Sequence, residues 1–304
     1  MNGLLTVASK EFSDYVSSKR YWLLLAIIYV AGISTAYLGI SALVKSQTEG
    51  SFILLFTVSS SSLPAFLFFT AYLGPLLGIA IGFDSVNRET SKGTLVRVLS
   101  QPIYRDSVIN GKFISGIAII AITITGIVGI AAGMAIRIGL VPNMDEIIRI
   151  FVFIIFTTLY IALWLAISQF LSILFKQSST SAIGSFAIWG FFSFFWPTIA
   201  SLMAGSFVQD SSLEVERAIV EQNLSRLSPV TLYLEAVIAV LRPVARLISF
   251  DPVALEQLMY AIPNPLPLSQ SLLLIWPQIT VLIALLLLCF LASYLRFMKQ
   301  EIRA

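Results

Sequence analysis

Six apolar, nearly uncharged stretches decide what this chain can be: residues 21–43, 65–83, 113–136, 147–175, 181–203 and 271–295. A helix rises about 1.5 Å per residue, so roughly 20 such residues cross the ~30 Å hydrocarbon core of a bilayer. Nothing in that core can satisfy a bare backbone, so each stretch has to be helical. Charged residues make up only 12% of the 304, about half of what a water-facing shell needs. The sequence predicts an all-α polytopic membrane protein with six transmembrane helices. The uncharged stretch 51–83 is too long for one straight crossing, and Ser59 to Ser62 with Pro64 mark a break near the outer interface. A seventh crossing there would put the termini on opposite sides.

Sidedness follows from Lys and Arg. With a cytoplasmic N-terminus, twelve of the nineteen basic residues and six of the sixteen acids face inside, about +6 against −3 outside. Both termini are therefore expected in the cytoplasm of a cell-membrane protein. Residues 1–20 hold Lys10, Glu11, Asp14, Lys19 and Arg20 and do not read as a secretory signal. Leu4, Leu5, Ala8, Phe12, Tyr15 and Val16 share one helical face, which predicts an interfacial helix rather than a solvated tail. Residues 204–268 carry seven acids and four arginines and are expected to form a helical extracytoplasmic segment. Such a folded cap would line a substrate exit or seal the bundle, and it leaves room for an extracytoplasmic partner.

Several chemistries are excluded. There is no histidine and one cysteine, Cys289, so the usual zinc, haem and copper ligand sets and any intrachain disulfide are missing. A net charge of +3 is too small to suggest nucleic acid as a partner. Gln169 and Gln278 are the main amides in or near spans, while Arg137 and Arg149 fall at span ends where they can snorkel. A proton-coupled carrier needs a protonatable group at depth, and the spans show none. Gly111-Lys112 is no P-loop, because Phe113 stands where Ser or Thr is required and Asp106 where a glycine is. The chain is expected to bind no cofactor and to perform no catalysis. Gly74, Gly78 and Gly82 recur every four residues, as do Gly129 and Gly133. Such stripes serve close helix packing within the chain or a dimer seam, and Pro75 predicts a kink.

The loop 84–112 is polar and basic. Arg88 and Glu89 follow the second span, Gly93, Thr94 and Leu95 come next, then Arg97, Leu99, Pro102, Arg105 and Gly111-Lys112. Leu95, Val98 and Leu99 fall on one side of a short helix between Glu89 and Pro102, and Pro102 stops it. Asp106 can cap the next helix. Charge alone would make this an ordinary orienting loop.

The pattern E-x3-G-T-L-x3-L-x2-P-x2-R-x5-G-K resembles the first cytoplasmic loop of the type-2 ABC permeases, the ABC-2 family. The resemblance extends to "LSPVTLYLEA", with Leu227, Pro229, Glu235 and Ala236, and to the basic ending "YLRFMKQEIRA". It implies a permease subunit of an ABC exporter, working as a homo- or heterodimer with two cytoplasmic ATPase subunits that carry ATP and Mg. It further implies that the loop is a coupling helix docking on an ATPase. Arg88, Glu89, Gly93, Thr94, Leu95, Leu99 and Pro102 would form that element, with Arg97 and Arg105 as charge partners and "KQSSTS" from Lys176 as a smaller second contact. The alternative from another class is an ATP-independent secondary carrier or a membrane scaffold. Cargo is not legible.

Overall fold

The computed structural model describes residues 2–45, 52–57, 66–91, 93–94, 100, 103–207, 214–241 and 267–299, and among them there is no strand. In chain order the helices are α1 (Asn2–Val16), α2 (Lys19–Lys45), a 3-10 turn (Phe52–Phe56), α3 (Phe66–Gly82), the short α4 (Asn87–Ser91), α5 (Arg105–Arg137) and α6 (Met144–Leu174). Next come α7 (Ser178–Gly190), a π-helical turn (Phe191–Phe195), α8 (Trp196–Phe207), α9 (Glu214–Ser225), α10 (Pro229–Leu241) and α11 (Leu268–Lys299). Among the described residues, six helical segments are long and apolar enough to cross a membrane, and each coincides with an expected span. The fifth comprises α7, the π turn and α8. The break expected at Ser59–Pro64 lies outside the described residues.

Local chemistry sets the helix ends. α5 stops at Arg137, and Gly139 takes φ +92° to turn the chain. α6 starts with a capping box, in which the Asn143 backbone N–H donates to Glu146 Oε2 at 2.7 Å. This short connection makes α5 and α6 antiparallel neighbours.

The centre of the bundle is α6. A bilayer supplies little hydrophobic drive between helices, so close approach and hydrogen bonds must hold them together. α3 meets those terms through its glycines. A Cβ on Gly78 would lie 2.5 Å from the Ile161 carbonyl oxygen, and one on Gly82 would lie 2.9 Å from that of Leu165. At Gly74 the neighbour is the flexible end of Ile161, at 3.0 Å. Gly129 and Gly133 differ: they sit on an exposed face of α5, where a Cβ would meet no atom of the described residues within 4 Å. α3 continues as one helix through the buried Pro75.

The segment after the fifth span does more than cap the bundle. α9 descends beside α8, where Trp196 Nε1 donates to the Leu224 carbonyl at 2.9 Å. The chain then bends by 109° into α10, whose residues are buried almost throughout. Tyr233 Oη reaches Thr70 Oγ1 at 2.9 Å and Thr157 Oγ1 at 2.8 Å. Thr157 lies thirteen residues beyond Met144, or ~20 Å along α6, so the start of α10 is wedged deep between spans. The Tyr160 and Tyr233 rings stack with centroids 4.3 Å apart. At the other end, Arg149 does not snorkel. It is 2% exposed, and its Nη1 donates to the Val240 carbonyl at 2.9 Å while Nε pairs with Asp145 at 2.6 Å.

This re-entry also carries charge to a depth that the apolar runs did not show. Glu235 accepts hydrogen bonds from Arg226 Nε (2.9 Å), Gln222 Nε2 (3.0 Å) and Gln278 Nε2 (2.9 Å). Gln278 lies ten residues, or ~15 Å, into α11. One carboxylate thus ties α9, α10 and α11 together.

Candidate functional site

The loop 84–112 is built on three helices. α4 continues almost directly from α3. Ser172 Oγ on α6 accepts the backbone N–H groups of Val86 (3.0 Å) and Asn87 (3.2 Å), so the chain leaves the membrane at a fixed point. α4 then ends at Gly93, where φ is +68° and the N–H returns to the Thr90 carbonyl at 3.1 Å. A left-handed residue at this position is the usual way to stop a helix. The helix expected from Glu89 to Pro102 is therefore interrupted: Glu89 belongs to α4, Gly93 terminates it, and Thr94 Oγ1 folds back onto the Glu89 carbonyl at 3.3 Å. Leu95, Arg97, Leu99 and Pro102 lie outside the described residues.

α5 begins earlier than its apolar run, at Arg105, with Tyr104 in the N-cap position. Asp106 is in its first turn and accepts the Ser107 N–H at 2.8 Å, so it supports the helix start without being the cap. The early start also carries Lys112 inside the protein, where it is 3% exposed.

Lys112 is the feature that sequence reasoning missed. Its Nζ lies 3.0 Å from Glu11 on α1 and 2.9 Å from Glu89 on α4. Lys10 bridges the same two carboxylates from outside, at 2.9 and 3.5 Å, and also reaches Asp14 at 3.1 Å. Partial burial opposes the charge on Lys10, but the hydrogen bond and charge of Glu11, with Glu89 and Asp14, outweigh it and hold the ammonium pKa above its ordinary value. Beside this cluster, Asp84 takes Arg20 at 3.2 Å and Arg88 at 3.8 Å. Tyr15 donates to the Ile81 carbonyl at 3.2 Å. Burial, followed by the charges of Glu11, Asp84, Glu89 and Asp14, pushes the Tyr15 phenol well above its usual range.

Apolar contacts complete the junction. A Cβ on Gly111 would meet the Val7 side chain at 2.7 Å, so α1 lies directly on α5. Val86, Val108, Ile109, Ile173 and Phe297 form a buried cluster at the ends of α3, α5, α6 and α11. On the other side, Ser91 Oγ donates to the Lys176 carbonyl at 3.2 Å and Ser178 Oγ to Asn87 Oδ1 at 2.8 Å. The two basic loops thus form one platform. Arg88 is half exposed on it, and Arg105 starts the neighbouring helix.

α1, α4 and α5 are tied by buried ion pairs, so a push on one is shared by all three. No group of three or more metal-ligating side chains occurs among the described residues. Lys112 carries a weak sequence signal, since it closes the G-K end of the loop pattern; nothing in the sequence pairs it with Glu11, 101 positions away.

Comparisons with known proteins agree with this architecture. The probable ABC transporter permease protein NosY of Pseudomonas aeruginosa is 26% identical over 190 residues, covering 62% of this chain and 66% of that protein. The protein of the same description from Stutzerimonas stutzeri is 27% identical over 197 residues, covering 63% and 67%. The chain thus spans about two thirds of the length of the curated relatives it matches. Residues 5–302 match the profile described as ABC-2 family transporter protein; with six helices among its described residues long and apolar enough to cross a membrane, this multi-pass membrane protein belongs to the ABC-2 family of transporters.

Proposed function

We propose that the chain is the permease subunit of an ATP-driven ABC exporter. In this reading it sits in the cell membrane with both termini cytoplasmic, paired with a second permease copy. Two separate ATPase subunits bind ATP and Mg and hydrolyse the nucleotide. They dock on the platform formed by α4, the chain after Gly93 and the Lys176 turn, with Arg88, Glu89, Gly93, Thr94, Leu95, Arg97, Leu99, Pro102 and Arg105 as its residues. The observation that carries the proposal is the buried Lys112 clamp. An orienting loop needs basic charge facing water; it has no use for a lysine sealed between two carboxylates on different helices.

The clamp also divides the labour within the loop. Glu89 is mostly buried and faces Lys112, so it holds the platform and leaves direct contact to the exposed groups around it. ATPase closure would then move α4, α1 and α5 together, and α5 would carry the displacement through the bilayer to alternate access. The open face of α5 around Gly129 and Gly133 is where the second copy would pack. The test is co-purification with a candidate ABC ATPase subunit. Stable association and ATPase stimulation are expected for the wild-type chain, with both lost in Leu95→Asp. Full association and stimulation in that variant would refute docking on this loop.

A further inference from the structure

A second feature lies beside the coupling junction and shares Glu11, Glu89 and Arg88 with it. A cavity of about 510 Å³ opens between α1, the start of α2 and the end of α3, within the ~300–1,000 Å³ range of ligand sites. Its place in the fold puts it at the membrane surface. Ser17 and Ser18, where the interfacial helix turns into the first span, line it. Trp22 follows at once, 55% exposed, with its Nε1 donating to the Val16 carbonyl at 2.7 Å. Trp and Tyr flanked by basic residues mark the headgroup level of a bilayer.

The lining is divided by chemistry. One part is ionic: Glu11, Asp14, Asp84 and Glu89 with Arg20 and Arg88. The other is apolar and runs toward the membrane interior along α2 and α3: Tyr21, Leu24, Leu77 and Ala80. A polar floor continued by an apolar wall suits an amphiphile entering from the bilayer.

Charge narrows the class. Through their ion pairs, the four carboxylates are matched by Lys10, Arg20, Arg88 and Lys112, so the cluster is neutral. A neutral site with separated poles favours a ligand built the same way. Arg20 and Arg88 each use one Nη1 on Asp84, leaving further N–H donors, and their side chains are 76% and 54% exposed. They form the seat for a phosphate. Asp14 is the open carboxylate: it is 62% exposed, meets Lys10 at 3.1 Å and keeps further lone pairs on its two oxygens. These acceptors favour an ammonium that can donate. A quaternary ammonium has no N–H and is held instead by aromatic faces.

We propose that this cavity binds the headgroup of a membrane phospholipid bearing a primary amine, phosphatidylethanolamine being the simplest. The phosphate lies against Arg20 and Arg88, the ammonium against Asp14, and an acyl chain along Leu24, Leu77 and Ala80. The site ties the interfacial helix to the lipid around the first span.

The experiment is native mass spectrometry of the purified full-length chain. Detergent is supplemented in turn with phosphatidylethanolamine, phosphatidylcholine and phosphatidylglycerol of identical acyl chains. The wild-type protein is expected to retain the ethanolamine lipid at least fivefold better than the other two. Arg20→Gln and Asp14→Asn each remove that preference, and Ala80→Phe, which fills the apolar wall with every charge intact, lowers retention of the ethanolamine lipid to the level of the others. Equal retention of the three lipids by the wild type overturns the proposal. So does an ethanolamine preference that survives Asp14→Asn and Ala80→Phe, two variants that leave the Arg20–Asp84 pair intact. No ATPase is present, so the outcome is separate from that of the docking test.

Discussion

Replacing Lys112 with Met keeps a long unbranched side chain and removes the cation shared by Glu11 and Glu89. Breaking one partner out of a buried ion pair costs ~3–5 kcal/mol, because the remaining charge stays buried. Here Lys10 still reaches both carboxylates and is 49% exposed, so the cost falls at the low end, about 3 kcal/mol. That is a factor of ~100 in an opening equilibrium. The opening should be local, since α1 is held to the rest by this clamp, the Val7–Gly111 contact and the Tyr15–Ile81 hydrogen bond, all at one edge of the bundle. Amide hydrogen exchange reads it: protection in α1 should fall by up to ~100-fold while α6 is unaffected. The variant Lys112→Met/Glu11→Gln/Glu89→Gln removes the orphaned charges as well as the cation and should regain most of the protection. The reasoning fails if α1 protection changes less than threefold in Lys112→Met, or if the triple variant is no better protected than the single one.

Gly78→Leu should prevent α3 from seating on α6, because even a Cβ lies 2.5 Å from the Ile161 carbonyl; overpacking of this kind costs ~1–3 kcal/mol or more, read as a lowered Tm in detergent, while Gly133→Leu leaves the Tm of the isolated chain unchanged. Tyr233→Phe removes one hydroxyl from Thr70 and Thr157, which keep their bonds to the Leu67 and Phe153 carbonyls, so a loss of only ~1 kcal/mol is expected. Glu235→Leu strips the common acceptor from Arg226, Gln222 and Gln278 and should loosen the re-entrant pair, seen as faster amide exchange in α9 than in α6.

How much of this was legible depended on the range of the interactions. The six spans are written in runs such as 113–136, where one local property, apolarity over the thickness of a bilayer, decides the structure. α10 escaped that test. With 13 residues it is only ~20 Å long, too short to cross, and Arg226 before it makes the segment look like part of a water-facing cap. Its burial depends on Tyr233 meeting Thr70 and Thr157, partners 163 and 76 positions away. Arg149 was misread for the same reason: its position at a span end suggests snorkelling, but its partner is a carbonyl 91 positions on. In the loop, the helix expected from Glu89 to Pro102 runs through Gly93, and the backbone at φ +68° makes a turn there instead. The Gly74, Gly78 and Gly82 stripe was readable because a four-residue spacing alone puts three missing side chains on one face. Nothing local told which stripe packs inside, as this one does, and which faces outward, as Gly129 and Gly133 do.

The central claim is that ATPase movement enters through α4 and is passed on by the Lys112 clamp. The most direct measurement is ATP hydrolysis by the reconstituted complex carrying Lys112→Met, alongside a cysteine crosslink from Ser91→Cys to the ATPase in a Cys289→Ser background. The account predicts that the crosslink forms with and without Lys112→Met, showing intact docking, while transport per ATP hydrolysed falls at least tenfold in the variant. Unchanged transport per ATP in a complex whose α1 exchanges freely would contradict it.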